Sequence, residues 1–372
     1  MDSTAGGRAR RRLGLVGRSL AGEGAGRRQS EFHLALASLA PSQLHLAAEA
    51  RDSISLIAMA SSSSAARIDP ELVISHKFLE QESFSYSERD AAIYALGVGA
   101  CAGDAVDEKE LKYVYHRDGQ RSIEVLPTFA ALFPFKNNKG FIIADVPGLE
   151  FDPKLLLHGQ QYIEIYKPFP SSCSVKNKVT VAGLHDKGKA AIIEIETTSY
   201  IEESGEALCM NRSTIYLRGS GGFSKSSKPY SYANYPADQV SSSSVPKNKP
   251  SAIYEDQTHQ SQALLYRLSG DYNPLHSDPV VARIAGFNRP ILHGLCTLGF
   301  AARAIIRSIC NGDPTAVRTI FGRFLLHVFP GESLITEMWI EGPKVIYQTK
   351  VKERNKAVLS GYVMLKHIPS SL

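Results

Sequence analysis

Asp271, Asn273 and His276 stand at i, i+2 and i+5 in the stretch YRLSGDYNPLHSD. A carboxyl, an amide and an imidazole in so short a window can handle one small polar molecule. Asp and His suit proton transfer near neutrality, because modest shifts bring either pKa into range. Asn offers a donor and an acceptor but takes no proton itself. Pro274 fixes its own φ and removes a backbone donor, and it pushes Asn273 out of helical geometry. The chain therefore breaks from the helical run before it, and the short polar side chains can converge. Such a set can bind a water, deprotonate it and return a proton to a neighbouring carbon. Downstream, RPILHGLCTLGFAARAI places Gly294 at the mouth of an apolar helix. The N–H of Gly294 has no intrahelical acceptor there and can bind an oxyanion.

Plainer readings compete. A turn with a capping Asp and a surface His has the same residues. A calcium loop needs Gly at its sixth place and a carboxylate at its twelfth; here those are His276 and Ala282, which excludes it. A single-metal site from Asp271, His276 and Asp278 is the remaining metal reading, with no other His or Cys at a supporting spacing.

The elements that must position these groups come in two similar series. SERDAAIYALGVGAC, from Ser87, reads as a capped helix. DEKELKYVY and RSIEVLPTFAALFPF read as strands or buried apolar segments. HGQQYIEIYKPFP, NKVTVAGLHDKGKAAIIEIETTSYIE and ALCMNRSTIYLRG alternate with a period near two and predict strands, with a hairpin at HDKGK. Residues 219–250 are rich in Gly, Ser and Pro and read as a linker, long for a loop inside one domain. The second series then begins. HQSQALLYRLSGDYNPLHSD starts helical, Leu295 to Ile309 predicts an apolar helix ended by Asn311-Gly312, and four strands follow with a hairpin at KERNKA. AAIYALGVGA overlays ALLYRLSGDY, with Tyr94 over Tyr266, Leu96 over Leu268 and Gly99 over Asp271. The first copy lacks D-x-N-P-x-H, so a duplicated fold with one chemically active copy is expected.

The whole chain sets outer bounds. Its 372 residues, 43% hydrophobic, allow two domains of ordinary size. The net charge of +5 is concentrated at one end, where the first 30 residues carry seven Arg against Asp2 and Glu23. The rest is near neutral, so no nucleic-acid partner is indicated. Five scattered Cys without a CxxC pair argue against disulfides and zinc and for a reducing compartment. No apolar run reaches the roughly 18 residues of a spanning helix. Residues 1–65 have the composition of a transit-like or poorly ordered extension. Met59 reads as an authentic or alternative start, which N-terminal sequencing of the natural protein decides.

YRLSGDYNPLHSDPVVARIAGFNRPILHG resembles the signature of the hydratase 2 family, the (R)-specific enoyl-CoA hydratases of the MaoC-like group. FLLHVFPGESL is similar to the strand that follows in that family. The resemblance spans about 69 to 366. It implies an α+β fold of two tandem hot-dog units, each a curved antiparallel sheet around a long helix. The first unit (69–218) would be degenerate and bind substrate, and the second (251–366) catalytic. It implies a hydro-lyase that hydrates trans-2-enoyl-CoA to (3R)-3-hydroxyacyl-CoA in peroxisomal fatty-acid β-oxidation, unsaturated fatty acids included, with no cofactor or metal. On this resemblance Asp271 and His276 form the acid/base pair, Asn273 orients the water, and the Gly294 N–H holds the enolate-like oxygen. Tyr272, Pro274, Leu275 and Phe324 would line the pocket. In the first unit His158, Gly159 and Lys187 resemble ligand-contacting positions, though a strand histidine and a hairpin lysine are ordinary readings of the same residues. A homodimer is compatible with the family. Residues 367–372 end in Ser370-Ser371-Leu372, similar to the peroxisomal Ser-Lys-Leu tripeptide read by the import receptor, but without its basic middle residue. Two rival functions remain: a hot-dog acyl-CoA thioesterase, which would aim water at the carbonyl, and a non-catalytic acyl-CoA binder, which would have no need of Asp271 or His276.

Overall fold

The computed structural model describes residues 68–367 apart from 79–81, 136–141, 225–229, 237–238 and 240–243. The expectations for residues 1–65 and for Ser370, Ser371 and Leu372 lie outside the described residues. The chain opens with α1 (Pro70–Ser75), β1 (Glu82–Tyr86), α2 (Glu88–Gly97) and α3 (Glu108–Leu111). Four strands follow: β2 (Leu156–Ile165), β3 (Cys173–Asp186), β4 (Ala190–Ile201) and β5 (Ala207–Arg218). A short β6 (Ser231–Ala233) and β7 (Ala252–Gln257) lead to α4 (Gln262–Arg267), α5 (Pro279–Ile284) and α6 (Gly294–Ile309). The chain closes with β8 (Val317–Phe324), β9 (Ser333–Glu341), β10 (Lys344–Val351) and β11 (Lys356–Leu365).

All the strands join one antiparallel sheet in the order β1-β3-β4-β5-β2-β8-β11-β10-β9-β7, with β6 paired to β3. Adding six to each strand of the first half gives the second half, reflected about the β2–β8 seam. The duplication seen in the sequence is therefore built into the sheet order. Across the seam Tyr162 faces Phe321 and Ile163 faces Ile320. This is the tandem hot-dog arrangement expected. The described part of 219–250 touches both halves: β6 extends β3, Asp186 accepts the N–H groups of Gly222 and Ser224, and the Asn248 carbonyl accepts the Trp339 indole N–H.

Local chemistry explains the helix ends. Ser87 caps α2: its Oγ accepts the Asp90 N–H while the Asp90 carboxylate accepts the Ser87 N–H, a capping box. α6 ends where Asn311 and Gly312 take positive φ, with the Gly312 N–H donating back to the Ile306 carbonyl. Most of α6 is buried, with Arg307 and Ser308 near its end partly exposed. It packs on β7 to β11 and on the apolar segment Pro127–Phe135. No helix among the described residues is long and apolar enough to cross a membrane.

Two segments differ from the sequence reading. DEKEL forms α3, and PTFAALFPF forms a buried 3₁₀ helix, Pro127–Phe135. Its burial was legible, but Pro127 and Pro134 withhold the donors a ladder needs. A buried arginine fixes α6 against both halves. Arg303, 1% exposed, donates to the Val98 carbonyl and pairs with Glu110 and Asp256, while Arg307 pairs with Asp107.

Candidate active site

The loop after α4 folds as the spacing demands. Asn273 caps a single 3₁₀ turn, Pro274–His276, its Oδ1 accepting the Leu275 N–H at 3.0 Å. The Asn273 N–H in turn donates to the Asp271 carboxylate at 3.3 Å. Asp278 caps α5 by accepting the Val280 and Val281 N–H groups. The turn swings His276 back beneath the loop. There its Nδ1–H donates to the Ile291 carbonyl at 2.9 Å. A carbonyl only accepts, so this bond fixes the tautomer and leaves Nε2 as the basic nitrogen.

A residue that spacing did not single out completes the cluster. His293, 1% exposed, lies with its ring 3.8 Å from that of His276 and 4.8 Å from that of Tyr266. Its Nε2–H donates to the Asp271 carbonyl at 3.1 Å. Asp271, His276 and His293 each bring a polar atom within 4.8 Å of the others. This corrects the metal reading on one point, since the third member is His293 and Asp278 is spent on a helix cap. A second histidine was available, 22 residues downstream, and only the fold reveals it. The set has the donor types of a cation site. The positive Arg267, however, acts on both Asp271 and His293 and opposes a second cation there. That arrangement suits proton transfer better than a dication.

Electrostatics agree. Burial raises the Asp271 pKa from its ordinary carboxylate value, countered by the neighbouring His276. Burial lowers the His276 pKa, countered by Asp271. Burial also lowers the His293 pKa far below the imidazole range, and the adjacent His276 adds to this. At neutral pH the two imidazoles are therefore uncharged, and the Asp271–His276 pair can accept one proton.

His293 is the N-cap of α6, so Gly294 is its first residue. Gly294 is exposed although the residues after it are buried. Its N–H lies in the first turn, where no intrahelical carbonyl is available and the helix dipole adds a partial positive charge. A Cβ at Gly294 would meet the Phe324 ring at 3.2 Å, so the ring sits directly against the glycine. Phe324 in turn packs on His158, ring centroids 5.1 Å apart. His158 and Gly159 form a bulge in β2, where the register against β5 shifts. A Cβ at Gly159 would fall 2.3 Å from the Tyr216 ring, so only glycine fits. Bulges re-aim side chains beside functional sites. The His158 Nε2–H donates to the Gln160 carbonyl at 3.0 Å, and burial brings the pKa of this histidine down to about 4.

The fold thus gathers most of the expected residues along one line across the seam: Asp271, Asn273 and His276, then Gly294, Phe324 and His158-Gly159. Leu275 is half-buried in the turn and Pro274 exposed. Tyr272 is also exposed, with the Arg267 guanidinium 4.8 Å over its ring. Lys187 stands apart, exposed at the β3–β4 hairpin. It lies at the same end of the sheet as His158 but three strands across, about 14 Å at ordinary strand spacing. Sequence reasoning missed His293, Arg267 and the Ile291 carbonyl. The His-Gly pair was the signal for the first; the carbonyl has no side-chain signal at all.

Comparison with known proteins places this geometry. Residues 84–219 match the MFE-2 hydratase 2 N-terminal domain and residues 241–361 the MaoC-like domain. The enoyl-CoA hydratase 2, peroxisomal, of Arabidopsis thaliana is 64% identical over 303 residues, 81% of this chain and 97% of that protein. The peroxisomal multifunctional enzyme type 2 of Mus musculus is 40% identical over 300 residues, 80% of this chain but 38% of that longer protein. Among solved structures, a MaoC-like dehydratase from Phytophthora capsici superposes with a TM-score of 0.71 at 31% identity, covering 81% of this chain and 98% of that one.

Proposed function

The chain belongs to the hydratase 2 family, and from that premise we propose that it is a hydro-lyase converting trans-2-enoyl-CoA reversibly to (3R)-3-hydroxyacyl-CoA. The observation that carries the reading is one arrangement: a basic His276 Nε2 and the Asp271 carboxyl beside the exposed N–H of Gly294. Water held by Asp271, His276 and the Asn273 amide attacks C3 of the enoyl thioester. The pair takes the water's proton. The electrons of the double bond move to the thioester oxygen, where the Gly294 N–H and the α6 dipole stabilise the enolate. A proton then goes from the pair to C2. H and OH have been added across the bond, with no redox change. The substrate lies along the line of Tyr272, Pro274, Leu275, Phe324 and His158-Gly159. The first half (69–218) receives the acyl chain and part of the coenzyme, whose phosphates Lys187 meets at the sheet end. The division into 69–218 and 251–366 follows the mirrored sheet order.

The thioesterase alternative uses the same oxyanion donor but needs water aimed at the carbonyl carbon. One assay separates them. The full chain is mixed with a medium-chain trans-2-enoyl-CoA, and enoyl absorbance and free thiol are followed together. A coupled (S)-specific 3-hydroxyacyl-CoA dehydrogenase reports the hand of the product. Loss of absorbance with neither thiol nor NADH supports the (R)-hydratase; thiol release moves the protein to the thioesterases. Asp271→Asn and His276→Ala each lower kcat by about 10²–10⁴-fold, the range for positioned acid/base groups.

The enzyme works in the peroxisome, as the names of its relatives indicate, and its proposed place there is fatty-acid β-oxidation. Ser370, Ser371 and Leu372 are the proposed contact for the import receptor. A fluorescent protein fused ahead of the last ten residues, with and without those three, tests this; diffuse signal from both removes the assignment. A homodimer is the proposed assembly. Exposed Leu264, Leu268, Val280 and Ile284 on α4 and α5 supply apolar surface for a second copy, and sedimentation at micromolar concentration decides.

A further inference from the structure

His293 takes no part in the chemistry above, yet it touches both of its centres. It directly precedes Gly294, and its Nε2–H is bonded to the backbone carbonyl of Asp271. Its other nitrogen, Nδ1, is buried with no hydrogen-bond partner. A histidine kept only to fill this space would be a poor choice, since an apolar ring of the same size would leave no orphaned atom. What the imidazole uniquely supplies here is the Nε2 donor.

The surroundings show what that donor does. The loop Asp271–Asp278 is mostly exposed or half-buried, and Gly270 before it takes φ +130°. Two hydrogen bonds tie this loop to the lead-in of α6: His276 Nδ1–H to the Ile291 carbonyl, and His293 Nε2–H to the Asp271 carbonyl. The lead-in is itself anchored, because the Leu292 N–H donates to the Val328 carbonyl at 2.7 Å. Residues 291 to 294 thus fix the tautomer of His276, the backbone of Asp271 and the oxyanion donor in one short segment.

We infer that His293 is a positioning residue that holds the Asp271 end of the acid/base loop at a fixed distance from the Gly294 N–H. Substrate carbons C2 and C3 and the thioester oxygen must meet the pair and the N–H at once. Reacting atoms tolerate little misplacement, and a shift of about 1 Å can cost about 100-fold in rate. Ground-state binding of the coenzyme and acyl chain depends on other contacts and is left alone. The His293 ring, tilted 31° against that of His276 at 3.8 Å, also keeps that imidazole from turning away from Asp271.

The inference rests on the hydratase reading, and the test separates the two. His293→Phe keeps the ring packing and removes the donor. His293→Gln keeps a donor at nearly the reach of Nε2 and removes the ring. With a trans-2-enoyl-CoA as substrate, His293→Phe lowers kcat at least tenfold with KM within threefold, and its melting temperature stays close to that of the wild type. His293→Gln recovers kcat to within fivefold of the wild type. Because His293 acts through Asp271, adding His293→Phe to Asp271→Asn brings little further loss. His293→Phe at full activity overturns the inference. So do equal losses in the Phe and Gln variants, or additive losses in the double variant. Were His293→Phe not to fold, a Gln variant more than tenfold impaired in kcat would be equally fatal. A wild-type chain that leaves enoyl thioesters unchanged overturns the hydratase reading itself, a different result from any of these.

Discussion

At the scale of single residues the site turns on what glycine lacks and on which nitrogen of His276 is free. Phe324 rests against the Cα of Gly294, and any Cβ there would lie 3.2 Å from its ring. Gly294→Ala therefore leaves the N–H in place but pushes the aromatic wall outward. The expected result is a kcat/KM lower by about 10- to 100-fold, since a misplacement of about 1 Å suffices for such a loss. The melting temperature should barely move, because the alanine improves helix propensity at an exposed first-turn position. Steady-state kinetics beside a melting curve would refute this if activity stayed whole. The pH dependence is a second residue-scale expectation. Catalysis needs the pair with one proton missing. Burial lowers the His276 pKa, so the acid limb of kcat lies below the ordinary imidazole value of about 6.5. The limb belongs to the coupled Asp271–His276 pair and not to either group alone. A limb centred above 6.5 would contradict it. Asp271, Asn273, His276 and Gly294 were legible because four reactive or conformationally special groups fall within 24 positions. His293 and Arg267 were not, because their roles come from a carbonyl they reach and a charge they place, and neither is written in residue type.

At the scale of elements, α6 matters most, since its first turn is the proposed oxyanion site and its body is gripped from both halves. Arg303 binds the Val98 carbonyl from the end of α2, Glu110 of α3 and Asp256 of β7. Arg303→Met leaves two buried carboxylates with only Arg307, 3.8 Å from Glu110, as a nearby cation. Breaking a buried pair in this way typically costs about 3–5 kcal/mol. Urea unfolding of the variant measures it. A loss under about 1 kcal/mol would mean that the carboxylates had been neutralised by protonation and the clasp is weak. Asp256 is the carboxyl to watch, since burial already raises its pKa. Strand patterning was readable in the long, largely buried β4 and β5. It failed at β1 and β7, which end the two halves of the sheet and in which polar residues such as Glu255 and Asp256 interrupt the apolar signal. Helix α6 was readable in full, because sixteen residues of helix-compatible apolar sequence with an Asn-Gly stop have few other fates.

On the proposed function the molecule carries its chemistry in one half and its accommodation in the other, and the mirrored sheet order lets residues of both meet at the seam. The overlay of Tyr94 on Tyr266 anticipated this, and the two rings lie 6.0 Å apart where α2 and α4 pack together. That His158 would reach Phe324 could not be foreseen, because contact across a seam depends on register and a bulge. The seam has a consequence for stability. Burial lowers the pKa of His158 to about 4 and that of His276 and His293 below their ordinary value. The unfolded chain protonates these groups at about pH 6.5, while the folded chain does so only at lower pH. Between those limits the unfolded state binds more protons, so the free energy of unfolding falls as pH drops below about 6.5. Asp256 and Asp271, whose pKa values are raised, oppose this, because the folded chain takes up their protons first. Burial lowers His327 as well, so four imidazoles against two carboxyls leave a net loss, and His158, brought down to about 4, extends it toward pH 4. Urea midpoints should therefore decrease from pH 7.5 to pH 5, well above the range in which Asp186, held down to about 2, begins to titrate. His158→Gln should flatten the slope by close to one proton, about 1.4 kcal/mol per pH unit at its steepest. Equal midpoints at both pH values would show that the buried imidazoles at the seam are not held neutral by the fold.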